Sequence, residues 1–305
     1  MANGSETPID LQNELQKTAN ENSVLVMSFI APDTIVKKSP TSYDYAQITY
    51  QDLYNIEAKI EPLKKLGTLP KKLHLIIHTP GGRVDATTKI ARYLRENFEE
   101  IEAYVPYEAA SGGTVLCLAA NRIVMCNTSN LTPIDPQVSY KGRRVSVVSY
   151  EQAIKDMMKK YSTNSPDEIP SPDQQMCNQF DPIVAKEFSK MVFDSIMIAI
   201  ELLEESQKPT TTADNDRIWG IAFALTKTDF PHDHQFDIKS AKDIGLTIVD
   251  DASKLNLLNT YKKWVSCKLN EKETNHIVET YIPQKEEEQK DEKPNKASKK
   301  PAAKK

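Results

Sequence analysis

The spacing of apolar and polar positions alternates between two periods in the first half of the chain. Two segments, residues 50–66 and 85–98, place apolar side chains on one face of a helix. Short apolar runs bounded by polar residues, typical of buried strands, surround them at residues 24–31, 73–82, 101–106 and 122–126. The alternation predicts an α/β fold of βαβ units with a mainly parallel sheet and right-handed crossovers.

The second half of the chain has longer and more polar segments. Residues 162–175 are rich in Pro, Ser and Asp, which predicts an exposed loop, and residues 180–204 then predict a long amphipathic helix. A short helix over 239–243 follows, with Gly245 as the residue that ends it. Residues 246–249 predict a final strand or turn.

The two ends differ in composition from the rest of the chain. Residues 284–305 contain eight lysines and five acidic residues without a large apolar residue, which predicts a disordered tail. We expect a flexible N-terminal arm over residues 1–20 and one folded domain over 21–283.

Composition excludes several classes of function. The net charge of the whole chain is −4, and the tail is basic, so the folded part is acidic and does not favour nucleic-acid binding. The four cysteines form no CxxC pair, and no segment resembles a signal peptide or a membrane span. These features indicate a cytoplasmic protein without integral membrane contact.

Two glycine-rich turns follow successive predicted strands and carry the candidate chemistry. Gly82 lies in HTPGG and Ser111 precedes Gly112 in AASGGT. Because the carboxyl ends of parallel strands meet at one edge of a sheet, the two turns should lie close together. Their amides could form an oxyanion hole beside a serine nucleophile. Alternatively, Ser111 is an ordinary helix cap and TPGG an ordinary turn.

The motifs HTPGG, ASGGT and ANRIVMCNTSNLTPIDPQ resemble those of the serine dehydrogenase proteinase family, within the broader fold of the Clp proteolytic subunit, signal peptide peptidase A and the crotonases. The likeness covers residues 24–137. It resumes more weakly in DPIVAKEF, DFPHDHQFDIKSAKDIGL and ETYIP, while residues 139–179 depart from the family pattern.

The resemblance implies a spiral of ββα units with added C-terminal helical elements. It also implies a serine peptidase without a cofactor, acting on peptide or protein substrates. Ser111 would be the nucleophile, and the amides of Gly82 and Gly112 would form the oxyanion hole. Because proteins of this fold use the region of the long helix for subunit packing, the resemblance further implies a homo-oligomer.

The general base is not fixed by the resemblance. Asp135 stands where the Clp proteolytic subunit has its histidine, so a triad in the Clp order is absent. A lysine could serve, as in signal peptide peptidase A, and Lys186 in the partly apolar IVAKEF is preferred slightly over Lys141 and Lys155. For any one of these lysines, a solvated surface position is the more common role.

A histidine is the other candidate base. His232 and His234 flank Asp233 in PHDH, and Asp233 could orient either imidazole. The same residues could simply form a polar turn, and they offer too few ligands to predict a metal site. Asp135 and His78 are expected to support the loops around the pocket.

Three functions therefore remain open. The first is a serine peptidase that forms an acyl-enzyme on Ser111. The second is a catalytically silent scaffold that binds peptides in the same groove, and the third is acyl-thioester chemistry of the crotonase type. A serine directly before two glycines counts against the third.

Overall fold

The computed structural model describes residues 7–32, 36–39, 42–44, 46–162, 165, 168–226, 230–269 and 276–284. The strands within these ranges are β1 (Leu25–Ile30), β2 (Val36–Ser39), β3 (Ser42–Asp44), β4 (Lys72–His78), β5 (Glu100–Val105), β6 (Glu108–Ala109), β7 (Arg122–Met125), β8 (Asn130–Leu131), β9 (Gln137–Tyr140), β10 (Arg143–Ser146), β11 (Ile248–Val249) and β12 (Ile277–Tyr281). The helices are α1 (Pro8–Asn22), α2 (Tyr50–Lys65), α3 (Val84–Asn97), α4 (Gly112–Leu118), α5 (Val147–Tyr161), α6 (Ser171–Cys177), α7 (Pro182–Gln207), α8 (Thr212–Thr226), α9 (Ile238–Asp243) and α10 (Ala252–Lys268).

A six-stranded sheet forms the centre of the molecule, in the order β11-β7-β5-β4-β1-β12. Its neighbouring strands run parallel, except that β12 is antiparallel to β1 at one edge. The mainly parallel α/β fold expected from the alternating periods is therefore confirmed.

Helices cover both faces of the sheet. Along β1, Met27 and Phe29 point into the larger core, which includes α2, α3, α4 and α7. Val26 points into the smaller core, where it meets Leu15 of α1 and Trp264 of α10. Strands buried on both faces are near-continuous apolar runs, which is why the strands of this sheet were recognisable in the sequence.

The N-terminal segment differs from the predicted flexible arm. Helix α1 begins at a capping box between Thr7 and Asp10 and buries Leu11 and Leu15. Burying each leucine side chain contributes about 1.5–3 kcal/mol towards holding α1 on the sheet. The predicted tail lies outside the described residues beyond Gln284.

Two other segments depart from the sequence interpretation. The loop predicted over 162–175 overlaps α6, which begins at Ser171 with a proline in its first turn. Helix α10 was not predicted, because lysines and asparagines interrupt its apolar face. Among the described residues, no helix combines the length and the apolar character needed to cross a membrane.

Candidate active site

Ser111 lies at a sharp turn between β6 and α4. Its backbone has φ 48° and ψ −106°, a conformation that residues other than glycine rarely adopt and that costs on the order of 1–3 kcal/mol. The side chain makes no capping hydrogen bond to α4, although Ser111 is the residue before the helix. The role of an ordinary helix cap is therefore wrong for Ser111.

Thr132 stabilises the Ser111 turn through a hydrogen bond to the backbone. The Ser111 amide donates to Thr132 Oγ1 at 2.8 Å, whereas no described residue forms a hydrogen bond with Ser111 Oγ. The hydroxyl instead faces a cleft of about 400 Å³ that is also lined by Gly82, Gly112 and Asp135. A strained turn that leaves a serine hydroxyl in a cleft is typical of a nucleophile.

The two glycine turns meet at the carboxyl ends of the strands, as expected. Ala110 N donates to Thr79 O at 2.9 Å, which joins one turn to the other. Gly81 has φ +92°, and a Cβ atom there would lie 2.8 Å from both Ser111 Cβ and Gly112 N. Glycine is therefore required at 81 for conformation and for space.

Ile48 sets the direction of the Gly82 amide. Ile48 N donates to Gly81 O, and Ile48 O accepts from Arg83 N, each at 2.9 Å. In a parallel bridge of this kind, the amide of the residue between the two bonds points away from the partner chain. Among the described residues, none accepts a hydrogen bond from Gly82 N or Gly112 N, so both amides are available to a ligand in the cleft.

Asp135 connects the cleft to His232. Asp135 Oδ1 lies 2.6 Å from His232 Nδ1, while its Oδ2 accepts 2.7 Å hydrogen bonds from Ser146 Oγ and Gln137 Nε2. Asp135 is 5% exposed and His232 is 27% exposed. Because Nδ1 is occupied by the carboxylate, Nε2 is the nitrogen of His232 that can exchange a proton with another group.

The charge of Asp135 is maintained despite its burial. Burial raises the pKa of this carboxyl, but hydrogen bonds from His232 and Ser146 outweigh that effect and leave the pKa below its ordinary value. An ionised Asp135 fixes the orientation of the imidazole and stabilises its protonated form.

Comparison with known families identifies the family of this chain. A family model described as the ClpP-like SDH-type serine proteinase matches residues 45–296, which is well over half of the chain. The chain belongs to this family. The family resemblance read from HTPGG, ASGGT and LTPIDPQ is thereby confirmed.

Two curated relatives come from Methanocaldococcus jannaschii. The uncharacterized protein MJ0137 is 29% identical over 212 residues, which cover 68% of this chain and 65% of the relative. The uncharacterized protein MJ1495 is 25% identical over 196 residues, which cover 63% of this chain and 58% of the relative. The match thus spans less than two thirds of either relative's own length.

Two solved structures show a similar chain path. The membrane-bound stomatin-specific protease 1510-N has 16% identity and a TM-score of 0.44, covering 70% of this chain and 80% of its own. ClpP1 of Listeria monocytogenes has 13% identity and a TM-score of 0.39, covering 80% of this chain and 99% of its own.

The lysine candidates lie apart from the lining of the cleft. Lys186 is exposed on α7. Lys141 donates to the carbonyl oxygen of Gln179 at 3.2 Å, and Lys155 pairs with Glu151 at 3.4 Å. His232 is also absent from the lining of the cleft, but unlike these three it is bonded to a residue that lines it, Asp135.

The remaining candidates lie around this centre. His234 stacks on Phe230 with 3.9 Å between ring centroids, and Asp233 is exposed, so Asp135 and not Asp233 holds His232. His78 ends β4 and packs edge-on against Tyr107, 5.9 Å between centroids. The described residues contain no cluster of three or more His, Cys, Asp or Glu side chains that could hold a metal ion.

Sequence reasoning missed the partners of Asp135 and of the glycine turn. Ser146 lies on β10, in the segment that departs from the family pattern. Thr79, immediately before the PGG turn, is bonded to His276 by a contact that spans 197 residues. The one available signal was the position of Thr79 within the HTPGG motif.

Proposed function

We propose that the protein is a serine peptidase in which Ser111 is the nucleophile, His232 the general base and Asp135 the residue that orients the base. The observation that carries the proposal is the 2.6 Å pair between Asp135 and His232 at the edge of the cleft that holds Ser111. The chain order Ser, Asp, His differs from that of the Clp proteolytic subunit, but a triad is defined by its geometry and not by its order.

The first half of the reaction is acylation. His232 Nε2 takes the hydroxyl proton of Ser111 while Oγ forms a bond to the carbonyl carbon of the peptide. The carbonyl oxygen becomes an oxyanion and accepts hydrogen bonds from Gly82 N and Gly112 N. When the C–N bond breaks, the proton on His232 passes to the leaving amine, and the acyl group remains on Ser111.

The second half is hydrolysis of the acyl-enzyme. His232 takes a proton from water as the water oxygen attacks the acyl carbon, and the same two amides again stabilise the oxyanion. The bond to Ser111 Oγ then breaks, and the proton returns from His232 to the serine. No hydrogen bond joins Ser111 Oγ to His232 in the described residues, and such bonds often tighten only when substrate is bound.

A fluorophosphonate probe tests the nucleophile and the base together. We expect the wild-type protein to be labelled on Ser111, Ser111→Ala not to be labelled, and His232→Gln to be labelled at a strongly reduced rate. The matched control is Lys186→Gln, which should be labelled like the wild type. Absence of labelling in folded wild-type protein would favour the silent scaffold, and equal labelling of His232→Gln would exclude this base.

We also propose that the protein is a homo-oligomer. Several large apolar side chains are exposed on α7 and α8, among them Ile183 (74%), Phe193 (63%) and Trp219 (42%). Contiguous exposed apolar patches mark interaction sites such as subunit contacts, which supports the proposal. Light scattering should give a mass that is a multiple of 34.4 kDa, and a monomer at micromolar concentration would contradict the proposal.

A further inference from the structure

A second Asp–His pair lies directly behind the glycine turn. His276 precedes β12, and its Nδ1 lies 3.3 Å from Asp52 Oδ1 in α2. Its Nε2 lies 2.7 Å from Thr79 Oγ1, and the same hydroxyl accepts a 3.1 Å hydrogen bond from Gly81 N. The side chains of His276 and Asp52 are 0% and 1% exposed.

The hydrogen bonds of this group follow one direction. Thr79 Oγ1 accepts from Gly81 N, so its single hydrogen is free to be donated to His276 Nε2. His276 Nε2 is then the acceptor, and the imidazole hydrogen lies on Nδ1, facing the carboxylate of Asp52. Asp52 Oδ1 lies near Nδ1 of His276, but neither atom has a hydrogen-bond partner among the described residues, so Thr79 is the hydrogen-bonded partner of this imidazole.

Burying the polar side chains of His276 and Asp52 costs free energy, and packing alone does not explain why polar residues occupy these positions. Phe29 stacks on His276 with 4.3 Å between ring centroids, so an apolar side chain would suit the same space. A polar pair buried to this degree loses its hydration, and the compensating hydrogen bonds are those of Asp52 Oδ2 with Thr49 and of His276 Nε2 with Thr79. The hydrogen bonds from His276 to Thr79 and from Thr79 to Gly81 end at the Gly81 amide, which adjoins both Ser111 and Gly82.

We propose that His276, Asp52 and Thr79 are positioning residues for the oxyanion hole. Thr79 holds the Gly81 amide while Ile48 holds the Gly81 carbonyl oxygen, and together these contacts set the direction in which Gly82 N–H points into the cleft. The catalytic part of this inference rests on the proposed peptidase function, whereas the structural part does not. None of the three residues touches substrate, since all are buried behind the turn.

Amide hydrogen exchange tests the structural part without any activity. Thr79→Val keeps the shape of the side chain and removes the acceptor of Gly81 N, so exchange at Gly81 should accelerate at least about tenfold. His276→Leu should have the same effect, and His276→Gln, which retains an acceptor near the position of Nε2, should restore slower exchange.

The matched control is His74→Gln on the other face of the sheet. His74 is also buried and bonded, with Nδ1 3.0 Å from Tyr261 OH, but it lies away from the glycine turn. This variant should lower the melting temperature without changing exchange at Gly81. If Thr79→Val and His276→Leu alter Gly81 no more than His74→Gln does, the inference is overturned.

Kinetics tests the catalytic part. Thr79→Val and His276→Leu should lower kcat about 10²-fold with KM changed less than about threefold, because a misdirected donor weakens transition-state binding alone. His276→Gln should recover most of kcat. If hydrogen exchange at Gly81 changes but kcat does not, the catalytic part of the inference is overturned. If the wild-type protein shows no activity that depends on Ser111, the proposed peptidase function is wrong, and the exchange result alone decides the positioning role.

Discussion

The described part of the chain contains two Asp–His pairs, and their surroundings are opposite in character. Asp135–His232 lies at the edge of the cleft with 27% of the imidazole exposed, and its second ring nitrogen is available. Asp52–His276 is enclosed, and both ring nitrogens face protein groups. An Asp–His pair is thus suited to proton transfer when one imidazole nitrogen can contact substrate. When both nitrogens are enclosed, the same pair is suited to rigid positioning.

The largest expected effect is on catalysis by the exposed pair. His232→Gln should reduce kcat by about 10⁵-fold or more, because removing the base disables the triad as a unit. The melting temperature should change little, since His232 is partly exposed. The matched control is His234→Gln, two residues along in the same segment, which should keep near-normal kcat; equal losses in both variants would remove the distinction between them.

The buried pair should affect stability instead. Asp52→Ala should lower the free energy of unfolding by about 3 kcal/mol, because it removes the capping box of α2 and the carboxylate beside His276 Nδ1. Asp135→Ala should cost clearly less, since Asp135 borders the cleft. Urea unfolding of the two variants measures the difference, and equal losses would show that burial does not separate the pairs.

Gly81 connects the buried Asp52–His276 pair to the Ser111 turn beside the cleft. Gly81→Ala should lower kcat about 10²-fold, because the new methyl group would displace the Ser111 turn. Gly142→Ala provides a matched control, as Gly142 also has a positive φ (+75°) but has nothing within 4 Å of the added Cβ. That variant should lose roughly 1–2 kcal/mol of stability from backbone strain and keep its kcat; a similar kcat in both variants would contradict the assignment.

The smallest expected effect is a pH dependence of stability. The folded-state pKa of Asp135 is lowered, because hydrogen bonds from His232 and Ser146 outweigh burial. Its carboxylate therefore stabilises the fold above the unfolded-state pKa, and this contribution is lost as pH falls through the folded-state pKa. The difference in unfolding free energy between wild type and Asp135→Asn should shrink between pH 7 and about pH 3; a constant difference would contradict this origin.

Much of the fold could be predicted from the sequence, because the signals were local. The β1 run of apolar residues and the helical period of α7 are each contained within one element. Helix α1 was missed because only a narrow stripe of it is buried, at Leu11, Leu15 and their neighbours. A local sequence pattern does not show whether such a narrow apolar stripe packs against the rest of the protein.

The site was predictable to the extent that it lies in turns. Ser111, Gly82 and Gly112 follow from two glycine motifs, and these three do lie together at the cleft. The side-chain contacts that support the site could not be deduced, because 97 residues separate Asp135 from His232 and 197 separate Thr79 from His276. Only the order of the strands brings such residues into contact.

The position of His276 beside the edge strand β12 also links the site to synthesis. The glycine turn leaves the ribosome well before its buried support, because 197 residues separate Thr79 from His276. At about 5–20 residues per second, that delay is roughly 10–40 s. A nascent chain that already contains Ser111 lacks the contact of Thr79 with His276 throughout this interval, so under the proposed function full hydrolytic competence would be acquired only once β12 has docked against β1.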